Sequence, residues 1–289
     1  MSVEVKGAVQ IICFNPTEVQ RGYDIYKNKG VNALTIPQLN EKGLKHGFTT
    51  RAGGVSLGPF KSLNLNRSRG DCAKNVELNY GIFCESMGLD LNSLVMVSYV
   101  HGTAVTRVSK ADRGRGISKE PLEPCDGIIT NDPGVTLLTL HADCGAYFVY
   151  DPVNSAVGLA HAGWKGTLGR IGSAMIQAMS REFGSKSKDM FVGIGPCICR
   201  NCFEVDKELG RRFIDEFDFD GLCSAGKTGK LMLDLEMAAA VQFVESGILP
   251  KNLTIMGACT FEDRDMFYSY RRDNGITGSM AAFIRANNN

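Results

Sequence analysis

The chain of 289 residues predicts a single-domain α/β protein of the α+β kind. Three observations predict it. Short apolar runs bounded by glycine, proline or aspartate read as strands; longer stretches repeat their apolar residues at helical spacing; and the two kinds interleave irregularly, with no internal repeat and no Pro/Gly/Ser linker. Residues 1–45 read as a weakly characterised segment of the same domain and 46–289 as its body.

In chain order, Val76 to Met87 has helical spacing, and Leu94 to Val100 is an apolar run that ends at Val100-His101-Gly102. Leu137 to Leu140, Tyr147 to Tyr150 and Val157 to Ala160 read as buried strands, broken by Asp151-Pro152 and by glycines. From Thr167 to Phe183 the apolar residues Leu168, Ile171, Met175, Ile176 and Met179 keep a helical period, and Gly184 is placed to cap the helix. Met190 to Ile194 predicts a strand, Lys207 to Phe217 and Asp234 to Ser246 predict helices, and Leu253 to Ala258, Met266 to Tyr270 and Met280 to Ile284 predict strands. Loops at Thr50 to Gly58, Ala111 to Pro124 and Ser224 to Lys230, rich in glycine and charge, are candidate walls or lids of a pocket.

Composition narrows the function. Lysine and arginine number 32 against 31 aspartates and glutamates, and no basic run appears, so neither nucleic acid nor a membrane surface is implied as a partner. Hydrophobic residues make up 44%, enough for one large core or two modest ones, and a small-molecule substrate is the expectation. Met1 to Asn15 lacks the pattern of a signal peptide, so the expected location is the cytoplasm and the ten cysteines read as reduced thiols, ligands or core residues.

Two of the strand-like runs end in soft donors, at His141-Ala142-Asp143-Cys144 and at Ala160-His161-Ala162-Gly163-Trp164-Lys165-Gly166; His101 ends a third. A His101/Cys144/His161 set would leave zinc one open position, as catalytic sites do. The separations of 43 and 17 residues match no compact zinc finger, so the residues alone leave three readings open: zinc, a Cys144/His161 thiol pair, or buried structural groups. Asp143 would orient an imidazole, accept a proton or cap a turn, and His141 reads as a satisfied polar residue. Gly163 to Thr167 joins strand to helix, where the amides at Gly166 beside Lys165 suit an anion, although the Lys-Ser/Thr pair of a P-loop is missing. Arg51, in Thr49-Thr50-Arg51-Ala52-Gly53-Gly54, offers a guanidinium for phosphate. Cys197, Cys199 and Cys202 read chiefly as core thiols; a metal there would need a remote fourth ligand such as Cys223.

Taken together, His46-Gly47-Phe48-Thr49-Thr50-Arg51-Ala52-Gly53-Gly54-Val55-Ser56, Val100-His101-Gly102, Cys125-Asp126-Gly127, Ala142-Asp143-Cys144, His161-Ala162-Gly163-Trp164-Lys165-Gly166 and Phe267-Tyr268-Ser269-Tyr270-Arg271-Arg272-Asp273 resemble the laccase-domain family. That family was formerly called multicopper polyphenol oxidase and is now described as YfiH-type purine nucleoside phosphorylases. The resemblance runs in order over about residues 46 to 284. It implies a mixed β-sandwich flanked by helices, similar to the catalytic domain of cytotoxic necrotizing factors, with zinc on His101, Cys144 and His161. It also implies phosphorolysis of adenosine, inosine, guanosine and methylthioadenosine, deamination of adenosine, and, in bacterial relatives, a link to peptidoglycan editing. The partners so implied are purine nucleosides and phosphate, in a monomer or small homo-oligomer. Arg51, Asp143 and Cys144 are then the expected catalytic groups, and Arg51, Lys165 and Gly166 the phosphate grips. Three stretches depart from the family pattern, at His141, at Gly145-Ala146 and within Gly195 to Val205, which bears on pocket shape more than on metal.

A four-copper oxidase would need on the order of ten imidazoles, and this chain has four histidines. Copper is therefore disfavoured. The remaining alternatives are a thiol hydrolase or deamidase with Cys144 as nucleophile, and a zinc-bound interaction module without turnover.

Overall fold

A computed structural model of the chain describes residues 16–286. The reading of Met1 to Asn15 as lacking a signal peptide lies outside them. Two large sheets form the centre. One has seven strands in the order Gln20–Arg21, Leu253–Ile255, Phe191–Ile194, Gly145–Asp151, Ala156–Ala162, Gly127–Thr130 and Val105–Arg107; the other has six, in the order Asp24–Asn28, Val31–Thr35, Lys45–Thr49, Met280–Arg285, Thr136–His141 and Leu94–Met96. Both mix parallel and antiparallel pairs.

Side-chain alternation along a strand explains the layering. Leu137, Ala282 and Ile284 of the six-stranded sheet meet Phe148, Val157 and Leu159 of the seven-stranded sheet in one core between the sheets. Their neighbours in sequence point outward. Leu138, Ala281 and Phe283 pack with Val76, Tyr80 and Phe83 of the helix Ala73–Met87, while Val149, Ala156 and Ala160 pack with Met175, Met179 and Phe243 of the helices Ile171–Phe183 and Leu235–Glu245. The result is helix, sheet, sheet, helix in layers. A small third sheet of Glu204–Val205, Leu231–Leu233 and Cys223–Ala225 packs beside it with the helix Lys207–Phe217.

Three predicted elements come out differently. The helix expected over Thr167 to Phe183 is two, Trp164–Leu168 and Ile171–Phe183, because Arg170 turns left-handed (φ 65°) between them. Its guanidinium is drawn to Glu216 and Glu245 on two neighbouring helices. Met266 to Tyr270 forms no strand. Phe267 and Tyr268 are buried in a turn-rich loop whose carbonyls at Thr260, Phe261 and Phe267 accept from the Arg272 guanidinium, so the apolar and polar alternation reflects burial without a ladder. The apolar run from Leu94 leaves its sheet after Met96.

No helix among the described residues is long and apolar enough to cross a membrane. All nine described cysteines are free thiols.

Candidate functional site

The strand Thr136–His141 belongs to one sheet and Gly145–Asp151 to the other, so the turn Ala142-Asp143-Cys144 crosses between the layers. Beside it ends Ala156–Ala162, where alternation turns His161 toward the gap between the sheets, on the same side as Val157 and Leu159. His101 arrives from the loop after Met96. The Asp126 carboxylate, fully buried, bends that loop by accepting from the amides of Val100 (3.2 Å), His101 (3.0 Å) and Gly102 (2.7 Å). His101 consequently sits at a positive φ of 60°. The donor atoms of His101, Cys144 and His161 all lie within 4.8 Å of one another.

His161 is held from behind. Asp126 Oδ1 accepts from His161 Nδ1 at 3.2 Å, which leaves Nε2 for the cluster, and Tyr99 stacks on the same ring at 4.6 Å. Sequence reasoning quoted Asp126 within a motif and gave it no role, since its partners lie more than twenty residues away in both directions. Gly163 closes the site. A Cβ there would stand 2.9 Å from His101 Cδ2 and 3.1 Å from Cys144 Sγ. Burial disfavours ionisation of Cys144, yet His161 and His101 outweigh it and draw the thiol down to about 6. Burial likewise opposes charge on His161, but Cys144 and Asp126 prevail and raise it to about 9. Two imidazoles and a thiol grouped beside a cavity are a set that could hold a metal ion.

The other histidines are structural. His141 accepts from the Thr139 hydroxyl and donates to the Cys144 carbonyl, and burial followed by repulsion from His161 keeps it neutral. His46 accepts from the Ile36 amide and donates to the Leu44 carbonyl.

The cluster opens onto a cavity of about 500 Å³ whose walls include Tyr99, Trp164, Phe203 and Tyr270, with Arg69 and Arg271 as its cations. Arg69 lies over the Tyr270 ring at 4.8 Å and Arg271 over Phe203 at 5.1 Å. Asp143 is the only carboxylate lining it among the described residues. Its Oδ1 accepts from the Thr260 hydroxyl and its Oδ2 from the Arg271 amide, both at 2.7 Å, so it fixes the loop that presents Arg271.

The sequence-predicted anion grips are not gathered here. Arg51 lines a separate cavity with Lys61 and Arg264; its Nε donates to the Lys61 carbonyl at 2.7 Å, its Nη1 to the Arg264 carbonyl, and the guanidinium covers Tyr268. Lys165 is exposed beside Trp164, and Gly166 is buried against the Gly102 carbonyl, where a Cβ would come within 2.9 Å. None of the three glycine-rich loops expected as walls lines the cavity. Arg69, Tyr270 and Arg271 do so in their place; Arg69 carries no local signal, whereas Tyr270 and Arg271 belong to the Phe267 to Asp273 motif.

Comparison with known proteins identifies the family and agrees with the fold. The family model described as multi-copper polyphenol oxidoreductase laccase matches residues 45–287. Purine nucleoside phosphorylase YlmD of Bacillus subtilis (strain 168) is 37% identical over 249 residues, 85% of this chain and 89% of that protein. The crystal structure of YlmD from Geobacillus stearothermophilus, 32% identical, superposes with a TM-score of 0.85 over 91% of this chain and 98% of its own. The crystal structure of hypothetical protein YfiH of Bacillus licheniformis, also 32% identical, gives 0.83 over 90% and 98%. The chain therefore belongs to the laccase-domain family that includes YlmD and YfiH.

Proposed function

We propose that this protein is a zinc-dependent purine nucleoside phosphorylase of the cytoplasm, acting on adenosine, inosine, guanosine and methylthioadenosine, and that it deaminates adenosine at the same centre. One observation carries the reading: a His101/Cys144/His161 cluster sits at the base of a cavity walled by aromatic rings and two arginines. Rings of Tyr99, Trp164, Phe203 and Tyr270 offer faces for a purine, and Arg69 and Arg271 offer bidentate contacts to phosphate. The name of the Bacillus subtilis relative supports the same chemistry.

In phosphorolysis a phosphate oxygen forms a bond to the sugar C1′ while the bond from C1′ to the purine nitrogen breaks; the purine leaves with the electron pair and takes a proton. Arg69 and Arg271 would hold the phosphate against the cation-like sugar, and Asp143 keeps Arg271 in register. Zinc held by the cluster would supply Lewis-acid polarisation. His161, locked through Nδ1 by Asp126, and Cys144, drawn toward its thiolate, would hold that ion with His101. As the one carboxylate on the wall among the described residues, Asp143 would carry the proton in deamination. Arg51 and Gly166 would act by positioning the loops they pack in, and Lys165 by adding positive charge at the rim.

The same His/His/Cys set serves electron-transfer copper when an axial methionine completes it, and no methionine is among the described residues lining this cavity. A second reading has its own support: Cys144, His161 and Asp126 line up as nucleophile, base and orienting carboxylate, so a thiol hydrolase is the alternative.

One experiment separates these. Purified protein is assayed for metal and incubated with adenosine, with and without phosphate, while chromatography follows adenine, ribose 1-phosphate and inosine. Phosphate-dependent adenine, lost together with zinc in His101→Ala and in Cys144→Ala, is the expected outcome. Full turnover in either variant, or in metal-free protein, refutes the assignment.

A further inference from the structure

The thiols of the Cys197/Cys199/Cys202 run do not stay together. Cys197 is buried and directs its Sγ to the Ile198 carbonyl, and Cys223 directs its own to the Gly210 carbonyl. Cys199 and Cys202 instead meet Cys259 and Glu262, which lie about sixty residues on. The four ligand atoms all lie within 4.8 Å of one another. We infer that Cys199, Cys202, Cys259 and Glu262 form a second, structural zinc site, separate from the His101/Cys144/His161 cluster.

Two matching turns build it. Cys199-Arg200-Asn201-Cys202 and Cys259-Thr260-Phe261-Glu262 each place two residues between their donors, the spacing by which one turn offers two ligands to structural zinc. Each turn is closed by its own backbone: the Cys202 amide donates to the Cys199 carbonyl at 3.0 Å and the Asp263 amide to the Cys259 carbonyl at 3.1 Å. The turns are then joined, because the Thr260 amide donates to the Cys197 carbonyl at 3.0 Å and the Cys199 amide to Cys259 Sγ at 3.3 Å. Glu262 Oε1 faces both remaining thiols, at 3.6 Å from Cys199 and 3.3 Å from Cys202.

The chemistry favours zinc. Three sulfurs and one carboxylate oxygen are a soft set for a borderline cation. Bonds of about 2.3 Å in a tetrahedron hold sulfurs about 3.8 Å apart, so side-chain adjustment of about 1 Å suffices. Four protein donors leave no open position, which makes this site structural where the first is catalytic. Its location gives it a purpose. Ile198 and Phe203 flank the first turn and line the substrate cavity, and Thr260 in the second turn donates to Asp143. An ion here would fasten two walls of the cavity to each other.

The test is metal content of the full chain, saturated with zinc under reducing conditions and freed of loose metal by gel filtration. Wild type should hold two equivalents. Cys202→Ser should hold one, as should Cys144→Ser, and the double variant none. Glu262→Gln, which keeps all the sulfurs, should release one equivalent to a chromogenic chelator at least tenfold faster than wild type and keep the other. With cobalt(II) in place of zinc, Cys144→Ser should retain intense thiolate charge-transfer absorption that Cys202→Ser largely removes. One equivalent in wild type, unchanged in Cys202→Ser, overturns the proposal, as does thiol titration showing a Cys199–Cys202 disulfide in active enzyme. Loss of the first site alone would disturb the proposed phosphorylase and leave the Cys202-dependent equivalent in place, so the two readings fail separately.

Discussion

Gly163→Ala isolates how closely the chain is packed around the His101/Cys144/His161 cluster. Gly163 has φ −77° and ψ 173°, a conformation alanine adopts freely, so no backbone strain arises. In open space the substitution would stabilise by about 0.4–1 kcal/mol through the unfolded chain. Here the new methyl would stand 2.9 Å from His101 Cδ2 and 3.1 Å from Cys144 Sγ, against an ordinary contact of about 3.5–4.0 Å. Both donors must move by roughly half an ångström or more, and overpacking of this kind costs about 1–3 kcal/mol. The balance is a loss of about 1–2 kcal/mol, a fall of a few degrees in Tm. The larger effect falls on function, because displaced ligands lower metal affinity about 10–100-fold and misplacement approaching 1 Å costs up to about 100-fold in rate. The assays are zinc competition against a chelator, thermal unfolding with and without zinc, and phosphate-dependent release of adenine. Gly81→Ala, with nothing within 4 Å of its Cβ on the helix Ala73–Met87, is the control and should be neutral or stabilising. Wild-type zinc affinity and turnover in Gly163→Ala would refute the reasoning.

Asp126→Asn removes a carboxylate that serves three amides and His161 Nδ1 at once; zinc affinity should fall about 10–100-fold and stability by about 1.5–3 kcal/mol, measured by chelator competition and urea unfolding. Burial works against that carboxylate's charge, but His161 and the Gly102 and Val100 amides hold it below the usual range, so its stabilisation is present at neutral pH and lost only as acid titrates the folded group. Arg69→Ala should raise the KM for phosphate about 10–100-fold, whereas Arg51→Ala, whose guanidinium is taken up by two backbone carbonyls, should lower Tm and leave that KM within a few-fold; the reverse order would return the anion to Arg51. In metal-stripped protein, alkylation of Cys144 should reach half its maximal rate near pH 6, as the thiol is drawn down to about 6, and His161→Ala should move the midpoint upward. His46 is held at about 4 by burial, against its hydrogen bonds to Leu44 and Ile36; the folded state takes up its proton later than the unfolded chain, so stability should fall as pH drops from about 6.5 toward 4, by up to about 3 kcal/mol. His46→Gln should flatten that part of the urea midpoint profile.

What could be read from the residues was what depends on near neighbours. The strands Thr136–His141, Gly145–Asp151 and Ala156–Ala162 show their burial as continuous apolar runs; Cys144 falls in the turn between the first two, and alternation along the third turns His161 toward the gap between the sheets. The helices Lys207–Phe217 and Leu235–Glu245 carry the helical period and end where expected. Features decided by partners far away left no such trace. The break at Arg170 depends on Glu216 and Glu245, the bend that delivers His101 depends on Asp126, and the loop of Met266 to Tyr270 depends on the reach of Arg272. The same rule divides the two clusters. Cys199 and Cys202 declare themselves by spacing, but Cys259 and Glu262 look unremarkable until the backbone bridge from Cys197 to Cys259 sets one turn on the other. A glutamate three residues past a cysteine is ordinary on a surface; only the fold turns that pair toward two more thiols. Local chemistry thus names the donors one strand or one turn at a time, and tertiary contact determines which of them can share an ion.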